Sequence, residues 1–199
     1  MTKTEVIKKL YFHLEETLSE EALKIILEND IRVENFFVIH SGIYFDKLKS
    51  ENKILDYSLQ HTIKIGEKER VHIDLRFVDN QGEINYVELK HFSISRNRGN
   101  GRRLSFYTSN SESGRKVGIV GDCLKLHLLK NQEFLEENSN LFCVAFITPK
   151  PNLIDLQKMI LNLESYPEIE NWELKFPVEF ENQKQDLGFL VYEDYFASR

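Results

Sequence analysis

Two carboxylates and a lysine stand on neighbouring strand-like segments of this sequence, at a spacing that suits a divalent metal ion. Asp74 lies in the first segment, residues 71–78, and Glu88 and Lys90 lie in the second, residues 84–90. Carboxylates are ligands that Mg²⁺ prefers, and such an ion lowers the pKa of a bound water and stabilises charge on a phosphate. Lys90 would orient or help deprotonate that water, or stabilise the transition state as a cation. These residue types therefore indicate hydrolysis of a phosphodiester.

The two segments have the pattern of a β-hairpin, because side chains alternate across a strand and residues i and i+2 share a face. A turn centred near Gln81 would set three pairs of side chains opposite one another: Asp74 with Glu88, His72 with Lys90, and Arg76 with Tyr86. Gly82 also allows a bulged or longer turn. In the register that the turn near Gln81 would set, the apolar side chains of both strands fall on one shared face: Val71, Ile73, Leu75, Phe77, Val87 and Leu89.

The charges of this hairpin allow two interpretations. Like charges directly opposite each other on paired strands are destabilising unless they share a proton, pair with a cation or bind a metal ion. An ordinary amphipathic hairpin with a solvated charged face explains the spacing alone equally well. The choice between the two depends on the residues around the hairpin.

The segments Ile73-Asp74-Leu75 and Tyr86-Val87-Glu88-Leu89-Lys90 resemble the core motif of the PD-(D/E)XK nuclease superfamily, over roughly residues 60–130. The resemblance implies that Asp74, Glu88 and Lys90 are catalytic. It also implies that Asp74, Glu88 and the backbone carbonyl of Leu89 bind Mg²⁺, with Mn²⁺ as an alternative. Ile73 stands where the superfamily's motif has proline, a departure that many members share.

Many members of that superfamily also carry a glutamate on a helix before the sheet. Here residues 4–29 have helical spacing of apolar side chains, with a break near Ser19. Four glutamates are available in it, of which Glu15 and Glu16 are the better candidates: Glu15, Glu16, Glu20 and Glu21. A solvated helix face explains all of them as well, and the sequence does not choose among them.

A basic loop, residues 92–116, follows the motif. From Lys90 to Lys116 the chain has seven lysines and arginines against one acid, Glu112, a net charge of +6. Arginine pairs with phosphate in a bidentate manner, so this loop is expected to hold a nucleic-acid backbone. The predicted nucleic-acid-binding residues are Arg96, Arg98, Arg102, Arg103, Arg115 and Lys116. A solvated surface loop is the alternative.

The charge of the whole chain argues against strong non-specific binding to duplex DNA. With 26 lysines and arginines and 32 acids the net charge is −6, and residues 131–199 alone have 5 against 13, a net of −8. An acidic protein is not expected to bind duplexes tightly without a local basic site. The acidic C-terminal half would face away from the substrate or meet a protein partner.

Length and composition predict one domain of 199 residues. Cys123 and Cys143 have apolar neighbours and no metal-ligand spacing, which favours buried free thiols in a cytoplasmic protein. No run approaches the roughly 18 apolar residues of a membrane span, so we expect no membrane partner.

The remaining periodicities predict an α/β fold with a mixed central β-sheet flanked by helices, and the resemblance implies a restriction endonuclease-like core, with which these periodicities are compatible. The single nuclease-like domain would comprise N-terminal helices at about 4–29, the motif hairpin at about 69–91 and the basic loop. We expect further strands at 61–65, 141–147, 172–180 and 187–192, and helices at 119–130 and 151–163.

We expect a Mg²⁺-dependent nuclease that hydrolyses DNA phosphodiester bonds, and the residues leave open whether it is an endonuclease or an exonuclease. RNA is an alternative substrate. A homodimer is a further alternative, since two active sites would cut both strands of a duplex. A nuclease-fold protein that has lost catalysis and binds nucleic acid or protein is the first alternative function. An unrelated α/β protein with a coincidental hairpin is the second.

Overall fold

The computed structural model describes residues 1–19, 21–22, 24–25, 33–93, 107–109, 116–148, 151–175 and 188–195. Eight β-strands lie in these ranges: β1 (Ile54–Lys64), β2 (Arg70–Asp79), β3 (Ile84–Ser93), β4 (Tyr107–Ser109), β5 (Lys116–Val117), β6 (Asn140–Thr148), β7 (Trp172–Lys175) and β8 (Gly188–Asp194). The α-helices with defined bounds are α1 (Lys3–Thr17), α2 (Val33–Ser50), α3 (Gly118–Asn131) and α4 (Leu153–Glu164), and residues Pro167–Ile169 form a 3₁₀ turn.

Six of the strands form one mixed sheet in the order β1-β2-β3-β6-β8-β7. β1, β2 and β3 are an antiparallel meander, β6 runs parallel to β3, and β8 and β7 continue antiparallel. Parallel neighbours need a long crossover, and α3 lies within the one that joins β3 to β6. The α/β class and the mixed, helix-flanked sheet predicted from the sequence are confirmed.

The core lies on both faces of this sheet. Leu75, Phe77 and Val87 belong to one apolar cluster with α1 and α2, and Cys143, Ala145 and Ile147 belong to another with α3 and α4. The central strand β6 supplies side chains to both clusters, which explains its continuous apolar sequence. The interior strand β3, which carries Glu88 and Lys90, therefore lies between two helical layers.

Most of the predicted elements are present with shifted ends. The helix predicted at 119–130 is α3, the helix at 151–163 is α4, and the buried strand at 141–147 is β6, parallel to its neighbour as expected. The strand predicted at 61–65 begins seven residues earlier, at Ile54. α1 ends at Thr17, which places the predicted interruption close to Ser19.

The turn between β2 and β3 is stabilised by the side chain that begins it. Asp79 Oδ1 accepts hydrogen bonds from the backbone N–H groups of Gln81 and Glu83, each at 2.9 Å. Gly82 has φ +86°, a conformation that glycine adopts without steric cost. The turn sets Arg76 opposite Tyr86 and Leu75 opposite Val87, which confirms the predicted register over that part of the hairpin.

The prediction that residues 71–77 place their apolar side chains on a single face is wrong at the N-terminal end of this segment. Leu75 and Phe77 pack with α1 and α2, but Ile73 packs in the opposite cluster with α3 and α4. The change of face occurs at Asp74, opposite Gln60 of β1, which has φ +48°. A left-handed residue interrupts the regular pleat of β1 at Gln60, and the neighbouring strand β2 loses its period-two alternation at the same level. Sequence periodicity alone assumes an uninterrupted strand.

The two cysteines lie where the sequence predicted. Cys123 and Cys143 are both buried free thiols, and burial raises the pKa of each. In the described part of the chain, no helix combines the length and apolar character needed to cross a bilayer.

Candidate active site

The candidate active site lies where β2 and β3 move apart. Paired residues run from Val78 and Ile84 to Leu75 and Val87, so the predicted pairing of Asp74 with Glu88 and of His72 with Lys90 is wrong. Beyond that point Asp74 Oδ2 accepts a hydrogen bond of 2.9 Å from the backbone N–H of Leu89. The carboxylate thus binds the very strand segment that carries Glu88 and Lys90.

A second contact holds the Asp74 carboxylate from the side of β1. Gln60 Nε2 donates a hydrogen bond to Asp74 Oδ1 at 3.1 Å. Gln60 is the left-handed residue at which both strands change face. Each oxygen of the Asp74 carboxylate thus accepts one hydrogen bond, one from β1 and one from β3.

Glu88 is buried, with only 5% of its surface exposed, and it is paired with a lysine from α3. Lys125 Nζ lies 2.6 Å from Glu88 Oε1 and also donates to the backbone carbonyl of His72 at 3.3 Å. Burial raises the pKa of Glu88 to about 8, and the negative charges of Asp74 and Asp122 add to the rise while Lys125 opposes it. Desolvation therefore outweighs the ion pair.

Lys90 lies between two further acids from the helices on either side of the sheet. Its Nζ is 3.8 Å from Glu34 Oε1 of α2 and 3.8 Å from Asp122 Oδ2 of α3. Burial raises the pKa of Asp122, against the lowering effect of Lys90 and Lys125. Lys90, two residues after Glu88 on β3, therefore has one acidic neighbour from each helical layer.

The charges of this cluster leave room for a divalent cation. Four carboxylates (Asp74, Glu88, Asp122 and Glu34) accompany two ammonium groups (Lys90 and Lys125), so the fully ionised cluster has a net charge of −2. Among the described residues, no set of three or more His, Cys, Asp or Glu side chains is grouped as a metal site. Mg²⁺ commonly uses only one or two carboxylates, with water and phosphate oxygens as its other ligands. The donor types of Asp74, Glu88 and the Leu89 carbonyl fit such an ion.

Four residues of the cluster were not predicted from the sequence as site residues: Gln60, Glu34, Asp122 and Lys125. Only the two on α3 had a feature visible in the sequence, an acid and a lysine three residues apart on a predicted helix.

Of the glutamates considered on the N-terminal helix, Glu15 neighbours Tyr11, and its charge and burial together raise the pKa of Tyr11. Glu16 lines a groove between α1 and α2, and Glu20 lies outside the described residues. Glu34 of α2 is the helix glutamate that contacts Lys90.

The predicted nucleic-acid-binding residues mostly lie outside the part of the chain that the structure describes. This applies to Arg96, Arg98, Arg102, Arg103 and Arg115. For Lys116 the backbone is described, in β5, but the side chain is not. The interaction of the basic loop with nucleic acid stays a prediction.

The raised pKa of Glu88 predicts a pH-dependent stability that Glu88→Gln should remove. The unfolded chain releases this proton near the ordinary value of 4.5, whereas the folded protein retains it up to about 8. Because the folded state binds more protons between these values, the free energy of unfolding falls as the pH rises. Between about pH 5 and about pH 8, wild type should lose on the order of 2–4 kcal/mol more than the variant.

Urea unfolding across this pH range measures the difference. Glu173→Gln, which changes an exposed glutamate on β7, is the matched control and should retain the wild-type slope. Parallel pH profiles for wild type and Glu88→Gln would contradict the prediction.

No protein-family model, curated protein or solved structure matches this chain.

Proposed function

We propose that this protein is a metal-dependent nuclease of the PD-(D/E)XK type that hydrolyses DNA phosphodiester bonds. The observation that carries the proposal is the convergence of Asp74 and Glu88 where β2 and β3 separate, with Lys90 two residues after Glu88 on β3. An unrelated amphipathic hairpin would leave these side chains solvated. Here Glu88 is buried and the charged groups contact one another.

The topology supports the same proposal. The order β1-β2-β3, then α3, then β6 parallel to β3, is compatible with the β-β-β-α-β arrangement of a restriction endonuclease-like core. In that arrangement the two motif strands are neighbours inside the sheet and the following helix packs over them. α3 contributes Asp122 and Lys125 from that position.

Each residue has a role that its contacts permit. Asp74, Glu88 and the Leu89 carbonyl would hold Mg²⁺ or Mn²⁺, which when bound supplies a more acidic water and neutralises charge on the phosphate. Gln60 and the Leu89 N–H orient the Asp74 carboxylate. Lys90, positioned by Glu34 and Asp122, would orient the attacking water or stabilise the charge that develops on the phosphate.

Cleavage of DNA by the purified protein tests the proposal. Circular and linear DNA are incubated with Mg²⁺, with Mn²⁺ or with chelator, and single-stranded RNA serves as a further substrate. We expect metal-dependent cleavage that Lys90→Ala slows by about 10²–10⁴-fold, the usual contribution of a positioned acid–base or electrostatic group. Lys158→Ala, an exposed lysine of α4, is the control and should retain the wild-type rate.

A second candidate function is a binding module of the same fold without turnover. The observation that favours it is the Lys125 ammonium 2.6 Å from Glu88, because it provides a built-in cation at a predicted metal ligand. This candidate predicts no cleavage with either metal, while nucleic acid or a protein partner is still bound. Cleavage that Lys90→Ala abolishes would exclude it.

A further inference from the structure

We propose that Lys125 is a built-in competitor of the metal ion, whose ammonium must leave Glu88 before Glu88 can coordinate a divalent cation. This inference rests on the proposed function, because it concerns the same site. It assigns to a residue of α3, which lies outside the motif hairpin, control over the metal concentration at which the site becomes loaded.

The contact between Lys125 and Glu88 is the first argument. Nζ lies 2.6 Å from Oε1, and the Glu88 side chain is only 6% exposed while the lysine is 27% exposed. A carboxylate as buried as this one has little room for two cations. An ammonium group and a metal ion at the same oxygen would also repel each other strongly in a desolvated site. The two cations are therefore alternative partners of Glu88.

The second argument is that the displaced ammonium has an acceptor within reach. Asp122 stands three residues before Lys125 on α3, so the two side chains lie on the same helix face. Asp122 at present contacts Lys90 at the longer distance of 3.8 Å. Lys125 has a flexible four-carbon stem and can change partner without movement of the helix. Metal binding at Asp74 and Glu88 would thus shift Lys125 from Glu88 to Asp122.

Charge balance supports this exchange. With all four carboxylates ionised, as coordination of a metal by Glu88 requires, Lys125 and Lys90 leave the cluster with two uncompensated negative charges. If the lysine were simply replaced and expelled to solvent, the half-buried acid Asp122 would be left with Lys90 alone. Transfer of the ammonium to Asp122 retains both lysines and brings the cluster close to neutrality with the metal bound.

The consequence is that removing the ammonium should strengthen metal binding. Lys125→Met retains the length and packing of the stem and deletes the charge. Lys125→Arg retains the charge and can pair with Glu88 through two hydrogen bonds. We expect the first variant to bind Mn²⁺ at least about tenfold more tightly than wild type, within the range that neighbours of metal ligands typically contribute. The second variant should bind Mn²⁺ no more tightly than wild type.

The experiment is a calorimetric titration of the full-length, chelator-treated protein with MnCl₂, together with the shift in Tm that MnCl₂ produces. Wild type, Lys125→Met, Lys125→Arg and the exposed-lysine control Lys158→Met are compared, and each is repeated with Asp74→Asn added. Neither readout requires catalytic turnover. If Lys125→Met does not fold, Lys125→Gln takes its place, because its amide can still bind Glu88 without a charge.

The expected result is a lower Kd and a larger Mn²⁺-induced Tm shift for Lys125→Met alone, both lost when Asp74→Asn is added. Mn²⁺ binding that appears only after Lys125 is neutralised would support the inference as well. Asp74-dependent binding with the same Kd in wild type and Lys125→Met would overturn the role of Lys125 and leave the proposed metal site standing. Absence of Asp74-dependent binding in every variant would overturn both.

Discussion

Asp74→Asn should abolish metal-dependent cleavage, lowering its rate by about a thousandfold or more. Asparagine has nearly the size of aspartate, but it removes one of the two carboxylates available for the ion. Its amide also presents only one acceptor oxygen, whereas Asp74 accepts hydrogen bonds from both Gln60 and the Leu89 N–H. The loss should appear in the initial rate of DNA cleavage in Mg²⁺ and in calorimetric binding of Mn²⁺.

A matched substitution separates loss of the site from loss of charge on the sheet. Asp56→Asn changes an exposed acid of β1 that pairs with Lys49 at 2.7 Å, on the same antiparallel meander. It should leave the cleavage rate within about twofold of wild type, since exposed ion pairs contribute little. Retention of more than about a tenth of the wild-type rate in Asp74→Asn would show that Asp74 is not a metal ligand.

Phe146→Ala should lower the free energy of unfolding by about 3–5 kcal/mol, the usual cost of truncating a buried phenylalanine. Phe146 is fully buried on the central strand β6, and its ring stacks on Phe37 of α2 at 4.0 Å and lies 6.0 Å from Tyr11 of α1. The cavity left by alanine would therefore separate the sheet from both helices of that layer. Equilibrium unfolding in guanidinium chloride measures the loss.

The control for this prediction is a phenylalanine outside the core. Phe134 is 38% exposed, so Phe134→Ala should cost less than about 1.5 kcal/mol. α2 also carries Glu34, and we expect Phe146→Ala to weaken the contact of Glu34 with Lys90 as the helix loosens. An equal loss of stability in the two alanine variants would contradict the assigned packing.

Short-range residue patterns predicted those elements whose structure depends on residues close together in the sequence. The turn residues and the alternation of 75–78 and 84–87 predicted the register of β2 and β3. The apolar run in β6 predicted a buried strand parallel to its neighbour, and helical spacing predicted α3 and α4. In each of these elements, the spacing at which side chains repeat along the backbone matches the spacing of the buried residues.

The partners of the motif residues were decided by the tertiary structure. Lys90 contacts Glu34, 56 positions earlier, and Asp122, 32 positions later, while Glu88 contacts Lys125. Such contacts depend on which helix covers which face of the sheet, and that placement follows from the packing of two apolar clusters rather than from any local pattern.

The residue pattern thus predicted an α/β sheet and the position of Asp74, Glu88 and Lys90 on neighbouring strands. Only the tertiary structure determined the change of face at Gln60, the hydrogen bond from Leu89 to Asp74, and the paired lysine on α3. The physical reason is the distance along the sequence between the groups that come into contact. A period-two pattern describes one uninterrupted strand, whereas the charge balance of a buried site depends on groups brought together from α2, the sheet and α3.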